Sequence, residues 1–184
     1  MSPKPWQVVS STKDRDYRIF NLRTDLAISP RTGKEHHFFI IESLPWVNII
    51  PLTPQNEVVL VKQYRHGTQN VTLEIPGGLV EVSDSPEGAA KRELMEETGY
   101  GASEIILLST VHPSPAIQNN VCYTYLAKNV ILSGKQDQDD KEDIQVVLRP
   151  LAEIPDMIQK GEITHSLVLS ALYRYFREYA PAFK

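Results

Sequence analysis

The segment from Glu74 to Tyr100 constrains the fold of this chain most strongly. It reads EIPGGLVEVSDSPEGAAKRELMEETGY, so an apolar strand end leads into a Gly-Gly turn and then into a helix start. Ser85 is a good N-cap residue, and Pro86 suits the first helical position. Gly99 is typical of the position that follows a helix end. The segment therefore predicts a strand, a turn and a helix over residues 86–98.

Three carboxylates lie on one face of this predicted helix. Glu93, Glu96 and Glu97 are spaced at i, i+3 and i+4, and like charges at such spacings destabilise a helix. A sequence that keeps them is expected to hold a cation there. Oxygen ligands at this density suit Mg²⁺ or Mn²⁺. A solvated acidic face is the alternative that the triplet alone leaves open.

The residues around the triplet resemble the signature of the Nudix hydrolases, the Nudix box. The fixed positions of that long motif are matched by Gly78, Arg92, Glu93, Leu94, Glu96, Glu97 and Gly99. Two positions depart from it: Asp84 stands where the family has Glu, and Tyr100 fills an aliphatic position. The resemblance implies an α+β fold, in which an α/β/α sandwich with a mixed sheet covers residues 45–184.

The resemblance also implies a metal site and a reaction. In the family, the ligands are a backbone carbonyl and carboxylates at the positions that here are Gly78, Glu93, Glu96 and Glu97. The lack of a Cβ at Gly78 lets its carbonyl approach a cation closely. Arg92 is expected to anchor the Glu side chains, because an arginine cannot give up its proton. Mg²⁺ is the expected cofactor for hydrolysis of a diphosphate, with Mn²⁺ as a possible substitute.

Residues outside the box resemble the ADP-ribose pyrophosphatase branch of the family. Arg65 ends a Gln-Tyr-Arg segment, where the resemblance implies a bidentate contact with the substrate's diphosphate. Glu74 is expected to face the metal cluster, and Pro115 lies 16 positions after Gly99, as in that branch. Trp46 is an aromatic candidate for stacking on the base. A surface arginine, a strand-end cap and interface packing are the alternatives for Arg65, Glu74 and Trp46.

The general base is the least determined part of this site. Many members of the branch have an acidic pair soon after the proline, whereas this chain has the uncharged residues AIQNN at 116–120. The nearest carboxylates are Glu142 and Asp143 in the polar loop 134–143. We select Glu142 as the candidate base, and a solvated loop remains the alternative.

The substrate implied by this resemblance is a nucleoside diphosphate linked to a sugar, with ADP-ribose first and AMP and ribose 5-phosphate as products. Three alternatives remain open: a Nudix hydrolase of dinucleoside polyphosphates or capped RNA, a non-catalytic nucleotide-sensing Nudix module, and a structural partner-binding domain. The absence of a Lys/Arg run, with a net charge of −4, weighs against RNA and DNA. The complete set of box carboxylates weighs against the other two.

Length and composition describe an ordinary globular chain. The 184 residues suffice for one well-cored domain and a small appendage. No apolar run approaches the 18 residues of a membrane span, so no membrane partner is expected. The single cysteine, Cys122, excludes an internal disulfide framework and fits a reducing cytosol. We therefore expect a cytoplasmic protein.

The first 44 residues form a segment of their own in this interpretation. Strands at 6–10, 17–28 and 36–41 predict a small antiparallel sheet that would be marginal alone. Its aromatic residues need burial against another surface. The resemblance to the ADP-ribose branch implies a homodimer in which residues 1–44 dimerise and line the substrate site, while 45–184 form the Nudix domain.

Periodicity places the remaining elements of the second segment. Strands are predicted at 47–52, 58–63, 72–75, 105–111, 121–127 and 144–149. Helices are predicted at 151–160 and 164–179, and the second of these carries a broad apolar stripe.

Overall fold

The computed structural model describes residues 2–179, and their contacts divide them into two units. One unit comprises residues 2–44 together with His112–Val121, and the other comprises Pro45–Val111 together with residues 122–179. Residues 112–121 were predicted to belong to the catalytic segment, whereas an isolated bridge pairs Gln118 with Ile41 of the first unit. The functional division into a dimerisation segment and a catalytic domain stays a prediction.

The first unit is a three-stranded antiparallel sheet, which confirms that prediction. Its strands β1 (Gln7–Asp16), β2 (Phe20–Ile28) and β3 (Glu35–Ser43) are paired in chain order. The prediction of a short first strand was wrong in length, because polar residues continue the pairing with β2. Every residue of β1 is exposed, so this edge strand needs no apolar alternation to form.

The second unit contains the other nine strands of residues 2–179. In chain order they are β4 (Trp46–Leu52), β5 (Glu57–Arg65), β6 (Asn70–Glu74), β7 (Gly77–Leu79), β8 (Tyr100–Gly101), β9 (Ile105–Val111), β10 (Cys122–Lys128), β11 (Ile131–Leu132) and β12 (Gln145–Pro150). Seven of them form a sheet in the order β12-β5-β4-β10-β9, with β6 paired to β5 and β7 paired to β4. Since β4 and β10 are parallel and the other neighbours antiparallel, the predicted mixed sheet is confirmed.

The helix α1 (Pro86–Thr98) has the bounds that the sequence predicts. The Ser85 hydroxyl accepts a hydrogen bond from the Gly88 N–H at 3.0 Å. At the other end, Gly99 has the left-handed φ of 73° and donates its N–H to the Met95 carbonyl at 2.8 Å. Both caps therefore act as their residue types imply.

The two later helices are α2 (Ile154–Gln159) and α3 (Ser166–Tyr179). The prediction of one helix over 151–160 was wrong at its start, where a 3₁₀ turn occupies Leu151–Glu153. Pro155 accounts for the change, because it has no N–H to bond the carbonyl of Leu151. No helix of residues 2–179 is long and apolar enough to cross a membrane.

Strand alternation divides the core of the second unit between the two faces of its sheet. Ile49 and Val59 belong to a buried cluster that contains Leu94 of α1. Their neighbours in the sequence, Ile50 and Leu60, belong to a second cluster with residues of α2 and α3. Successive side chains of a strand point to opposite faces, so each strand packs against helices on both sides. The predicted α/β/α arrangement is confirmed.

Candidate active site

Two adjacent glycines, Gly77 and Gly78, let the start of the Nudix box pack closely against β4 and α1. A Cβ at Gly77 would lie 2.9 Å from the Cα of Asn48 and would collide with the Val47 carbonyl. A Cβ at Gly78 would collide with the carboxylate of Glu93 instead. The first contact involves the β4 backbone and the second involves the end of a flexible side chain. Glycine is therefore required at 77 for packing, and at 78 for the position of a candidate metal ligand.

Arg92 holds the acidic face of α1 together. Its Nη1 lies 2.9 Å from Glu93 Oε1 and 2.8 Å from Glu96 Oε2. Its Nε lies 3.1 Å from Asp84 Oδ2, so the shorter acid at this position still reaches the guanidinium. Burial by itself lowers the pKa of Arg92, but the hydrogen bond to Glu96 and the charge of Glu93 outweigh it and raise the pKa. The arginine thus stays charged and acts as an anchor.

Glu97 is the most deeply buried carboxylate of the box. It is 3% exposed, and its Oε2 accepts a hydrogen bond from the Gly77 N–H at 3.0 Å. Burial raises the pKa of Glu97 to about 8, with further contributions from the charges of Glu93 and Glu142. Burial also raises the pKa of Glu93. Both carboxylates are therefore harder to ionise than exposed ones, even though Glu93 contacts Arg92.

Arg65 and Glu74 form a bidentate ion pair across the β5–β6 hairpin. Arg65 donates from Nε at 2.8 Å and from Nη2 at 2.7 Å to the two carboxylate oxygens of Glu74. The Thr72 hydroxyl donates to the same carboxylate at 2.6 Å, and His165 Nε2 lies 3.9 Å from Oε2. Among the described residues nothing pairs with Nη1 of Arg65. That nitrogen is available to an anionic ligand, while Glu74 fixes the plane of the guanidinium.

A cavity of about 660 Å³ lies beside these groups in the second unit. It is lined by Trp46, Arg65, Glu74 and Gly78, and by the start of α3 around His165. Its volume lies within the range typical of small-molecule sites. The fold thus brings together three of the four residues that the sequence nominated for substrate binding.

The fourth candidate, Pro115, belongs to the first unit. It is exposed there, in a turn in which the Ser114 carbonyl accepts hydrogen bonds from the N–H groups of Ile117 and Gln118 at 3.0 and 2.8 Å. A role in binding substrate stays a prediction for this residue.

Glu142, the candidate base, is an exposed residue of the loop before β12. Its Oε2 accepts a hydrogen bond from the Asp139 N–H at 3.2 Å. Its charge helps to raise the pKa of both Glu93 and Glu97. Glu142 therefore lies within electrostatic range of the box carboxylates, although it stands 45 positions after Glu97 in the sequence.

Two residues of the cavity wall were missed by sequence reasoning. Asn48 is 7% exposed, and its Oδ1 has no hydrogen-bond partner among the described residues. His165 has a buried Nδ1 that likewise has no hydrogen-bond partner within residues 2–179. An asparagine in a strand and a histidine before a helix carry no motif, so no sequence signal could have identified them.

Comparison with known proteins identifies the family. The NUDIX domain model matches residues 43–171 of this chain. The chain belongs to the Nudix family. The predicted family is thereby confirmed, and α1 is the Nudix helix.

The relatives and a solved structure agree with this assignment. The chain is 28% identical over 132 residues to the ADP-ribose pyrophosphatase of Bacillus subtilis (strain 168), covering 71% of each protein. It is 32% identical over 158 residues to the methanol dehydrogenase activator of Bacillus methanolicus, covering 84% of each. The crystal structure of an ADP compounds hydrolase matches it with a TM-score of 0.85 and 22% identity, covering 99% of this chain and 97% of that one. This structural match supports the Nudix fold.

The Nudix carboxylates have the chemistry that a divalent ion requires, and Nudix hydrolases generally use such a metal. Among residues 2–179, however, no three His, Cys, Asp or Glu side chains converge as a ligand set. Arg92 draws Glu93 and Glu96 to itself, while Glu97 bonds to Gly77. The raised pKa of Glu97 nevertheless indicates a buried carboxylate that no cationic side chain of the described residues contacts, and the pKa of Glu93 stays raised even beside Arg92. The residues fit a divalent cation, and their assignment as ligands stays a prediction.

Proposed function

We propose that this Nudix protein hydrolyses the diphosphate bond of a nucleoside diphosphate linked to a sugar, with ADP-ribose as the preferred substrate. AMP and ribose 5-phosphate are then the products. The observation that carries the proposal is the cavity whose wall contains both Gly78 of the Nudix box and Arg65, which has one guanidinium nitrogen without a partner among the described residues. The name of the Bacillus subtilis relative, an ADP-ribose pyrophosphatase, supports the choice of substrate.

The candidate site residues have separate tasks in this proposal. Arg65 binds the diphosphate through Nη1, and Glu74 holds the guanidinium of Arg65 in place. Trp46 stacks on the base, and Glu142 accepts a proton from the attacking water. Glu93, Glu96, Glu97 and the Gly78 carbonyl hold the divalent ion, which we propose to be Mg²⁺ with Mn²⁺ as a substitute. When bound, that ion supplies the positive charge that neutralises the diphosphate.

A substrate panel tests the proposal. Purified protein with Mg²⁺ is incubated in ¹⁸O water with ADP-ribose, other nucleotide sugars, dinucleoside polyphosphates and capped RNA. We expect the highest kcat/KM for ADP-ribose, with the label in AMP or in ribose 5-phosphate according to the phosphorus attacked. Arg65→Lys keeps the charge but loses the planar fork, so it should raise KM for ADP-ribose. Preferred hydrolysis of a dinucleoside polyphosphate or of capped RNA would exclude the proposed substrate class.

We further propose that residues 1–44 form the dimerisation segment of a homodimer. The first unit exposes Val8 by 53%, Val9 by 51%, Ile19 by 66% and Phe39 by 64%. Such large exposed apolar side chains in one small unit are typical of an interaction surface. Light scattering should give about twice the chain mass of 20.8 kDa. A monomer at micromolar concentration contradicts the proposal.

A matched pair of variants tests whether this sheet carries the dimer. Phe39→Glu should yield the monomer, because it places a charge within the proposed interface. Val82→Glu is the control, since Val82 lies in the second unit and is 92% exposed. Equal dissociation by both variants would show that the effect is not specific to the N-terminal sheet.

We propose a cytoplasmic location. The only cysteine, Cys122, is buried as a free thiol, which is compatible with a reducing compartment. Cell fractionation tests this, and recovery with an extracytoplasmic fraction would contradict it.

A further inference from the structure

The loop that carries Glu142 is attached to the C-terminal turn of the Nudix helix. The last carbonyls of a helix have no partner within the helix itself. Here Gly99 satisfies the Met95 carbonyl, while the Asp137 N–H donates to the Glu96 carbonyl at 2.9 Å. The side-chain amide of Gln136 donates to the Glu97 carbonyl at 2.6 Å. The loop thus caps the helix at Glu96 and Glu97, two of the three residues that carry box carboxylates.

The same amide nitrogen of Gln136 makes a second hydrogen bond, to the Ile144 carbonyl at 3.1 Å. One side chain therefore joins the backbone of Glu97 to the backbone of a residue only two positions after Glu142. Gln138 closes the loop at its base, because its amide donates to the Ile144 carbonyl at 2.9 Å and accepts the Ile144 N–H at 3.0 Å. The Gln136 amide is thus the side chain that links the residues around Glu142 to the Nudix helix, in addition to the backbone hydrogen bond from Asp137.

We propose that Gln136 is a positioning residue, whose bridge from Glu97 to Ile144 holds Glu142 toward the box carboxylates. The inference rests on the proposed function, in which Glu142 is the base. Glutamine suits the task because its NH₂ group offers two protons on one atom, and both acceptors are carbonyls. A glutamate would offer none and would add a charge next to those carbonyls.

Three variants test whether the hydrogen bonds of Gln136, and not the size of its side chain, matter for activity. Gln136→Met keeps the length without the donors, and Gln136→Glu replaces the amide with a carboxylate. Gln136 is exposed, so neither change leaves a cavity in the core. We expect kcat to fall about 10- to 100-fold, as for other residues that orient a reacting group. KM should stay within about twofold, since Gln136 does not line the cavity. Gln159→Met, at an exposed glutamine in α2, should match the wild type.

A double-mutant cycle asks whether Gln136 acts through Glu142. Glu142→Gln should lower kcat, and adding Gln136→Met to it should cause almost no further loss. Independent, multiplicative losses would overturn the inference. So would wild-type kcat in Gln136→Met while Glu142→Gln is impaired, an outcome that leaves the proposed function intact. Wild-type kcat in Glu142→Gln would remove the base assignment and the inference with it.

Hydrogen exchange supplies a readout that needs no substrate. In Gln136→Met, the amides of Asp137 and Ile144 should exchange at least about tenfold faster than in the wild type, because the loop has lost its attachment. Amides in the middle of α1 should be unchanged, which distinguishes release of the loop from general unfolding. Unchanged exchange at Asp137 and Ile144 would overturn the inference even if the protein acted on a different substrate.

Discussion

Replacing Glu97 with glutamine should stabilise the metal-free protein, and the gain should grow with pH. The carboxyl of Glu97 is 3% exposed, and burial raises its pKa from the usual 4.5 to about 8. The folded protein therefore binds this proton more tightly than the unfolded chain does. Stability falls as the pH rises from about 4.5 to 8, because folding then requires the carboxylate either to keep its proton or to ionise in a buried site. The amide of the Glu97→Gln variant cannot titrate, so the variant lacks this loss.

The size of the effect follows from the two pKa values. Each pH unit between the unfolded pKa and the folded pKa costs about 1.4 kcal/mol of folding free energy. The wild type should therefore lose about 3 kcal/mol of stability relative to the variant between pH 5 and pH 8. The amide of the variant can still accept the hydrogen bond that the Gly77 N–H donates to Glu97. The comparison thus isolates the charge from the packing.

Urea unfolding in EDTA at pH 5 and pH 8 measures this difference. Glu87→Gln is the control, since Glu87 lies on the same helix with a side chain that is 55% exposed and paired with Lys91; its effect should be equally small at both pH values. Added Mg²⁺ should stabilise the wild type and have little effect on Glu97→Gln, which should also lose several orders of magnitude in turnover. If Glu97→Gln and wild type differ by the same amount at both pH values, Glu97 does not carry the buried charge inferred here.

Further predictions concern the glycine turn and Arg65, the arginine proposed to bind the diphosphate. Gly77→Ala should destabilise the fold by about 1–3 kcal/mol in urea unfolding, because its Cβ meets the β4 backbone. Gly78→Ala should cost less stability and lower kcat, because its Cβ displaces the Glu93 carboxylate; equal stability losses would contradict this distinction. Glu74→Gln should raise KM for ADP-ribose about tenfold, since it weakens the ion pair that orients Arg65; an unchanged KM would exclude that role.

Local chemistry made the Nudix helix predictable to the residue. A hydroxyl N-cap, a proline at the first position and a glycine at the end act within a few residues of each other, so the sequence contains the whole signal. The strands β7, β8 and β11 were not predicted, and they have only two or three residues each. Segments so short have no measurable periodicity, and their pairing depends on where the rest of the chain places a partner.

The candidate site was predicted in its parts but not in its connections. The sequence nominated both Arg65 and Glu74, yet it assigned them separate tasks. Their ion pair depends on the register of the β5–β6 hairpin, in which Arg65 lies opposite Asn70 and Glu74 opposite Val61. The attachment of the 134–143 loop to α1 is still less visible in the sequence, because Gln136 bonds to backbone carbonyls and any residue can supply those.

The charges of the site explain why Arg92 cannot replace a metal ion. Its single guanidinium contacts Asp84, Glu93 and Glu96, whereas the charges of Glu97 and Glu142 are met by no direct contact from it. An anionic diphosphate approaching Arg65 would add further negative charge to this group. Arg92 therefore holds Glu93 and Glu96 close to one another. In the proposed function, a divalent cation supplies the remaining positive charge that a bound diphosphate requires. In the metal-free fold, the pKa of Glu97, raised by burial, reflects this missing positive charge.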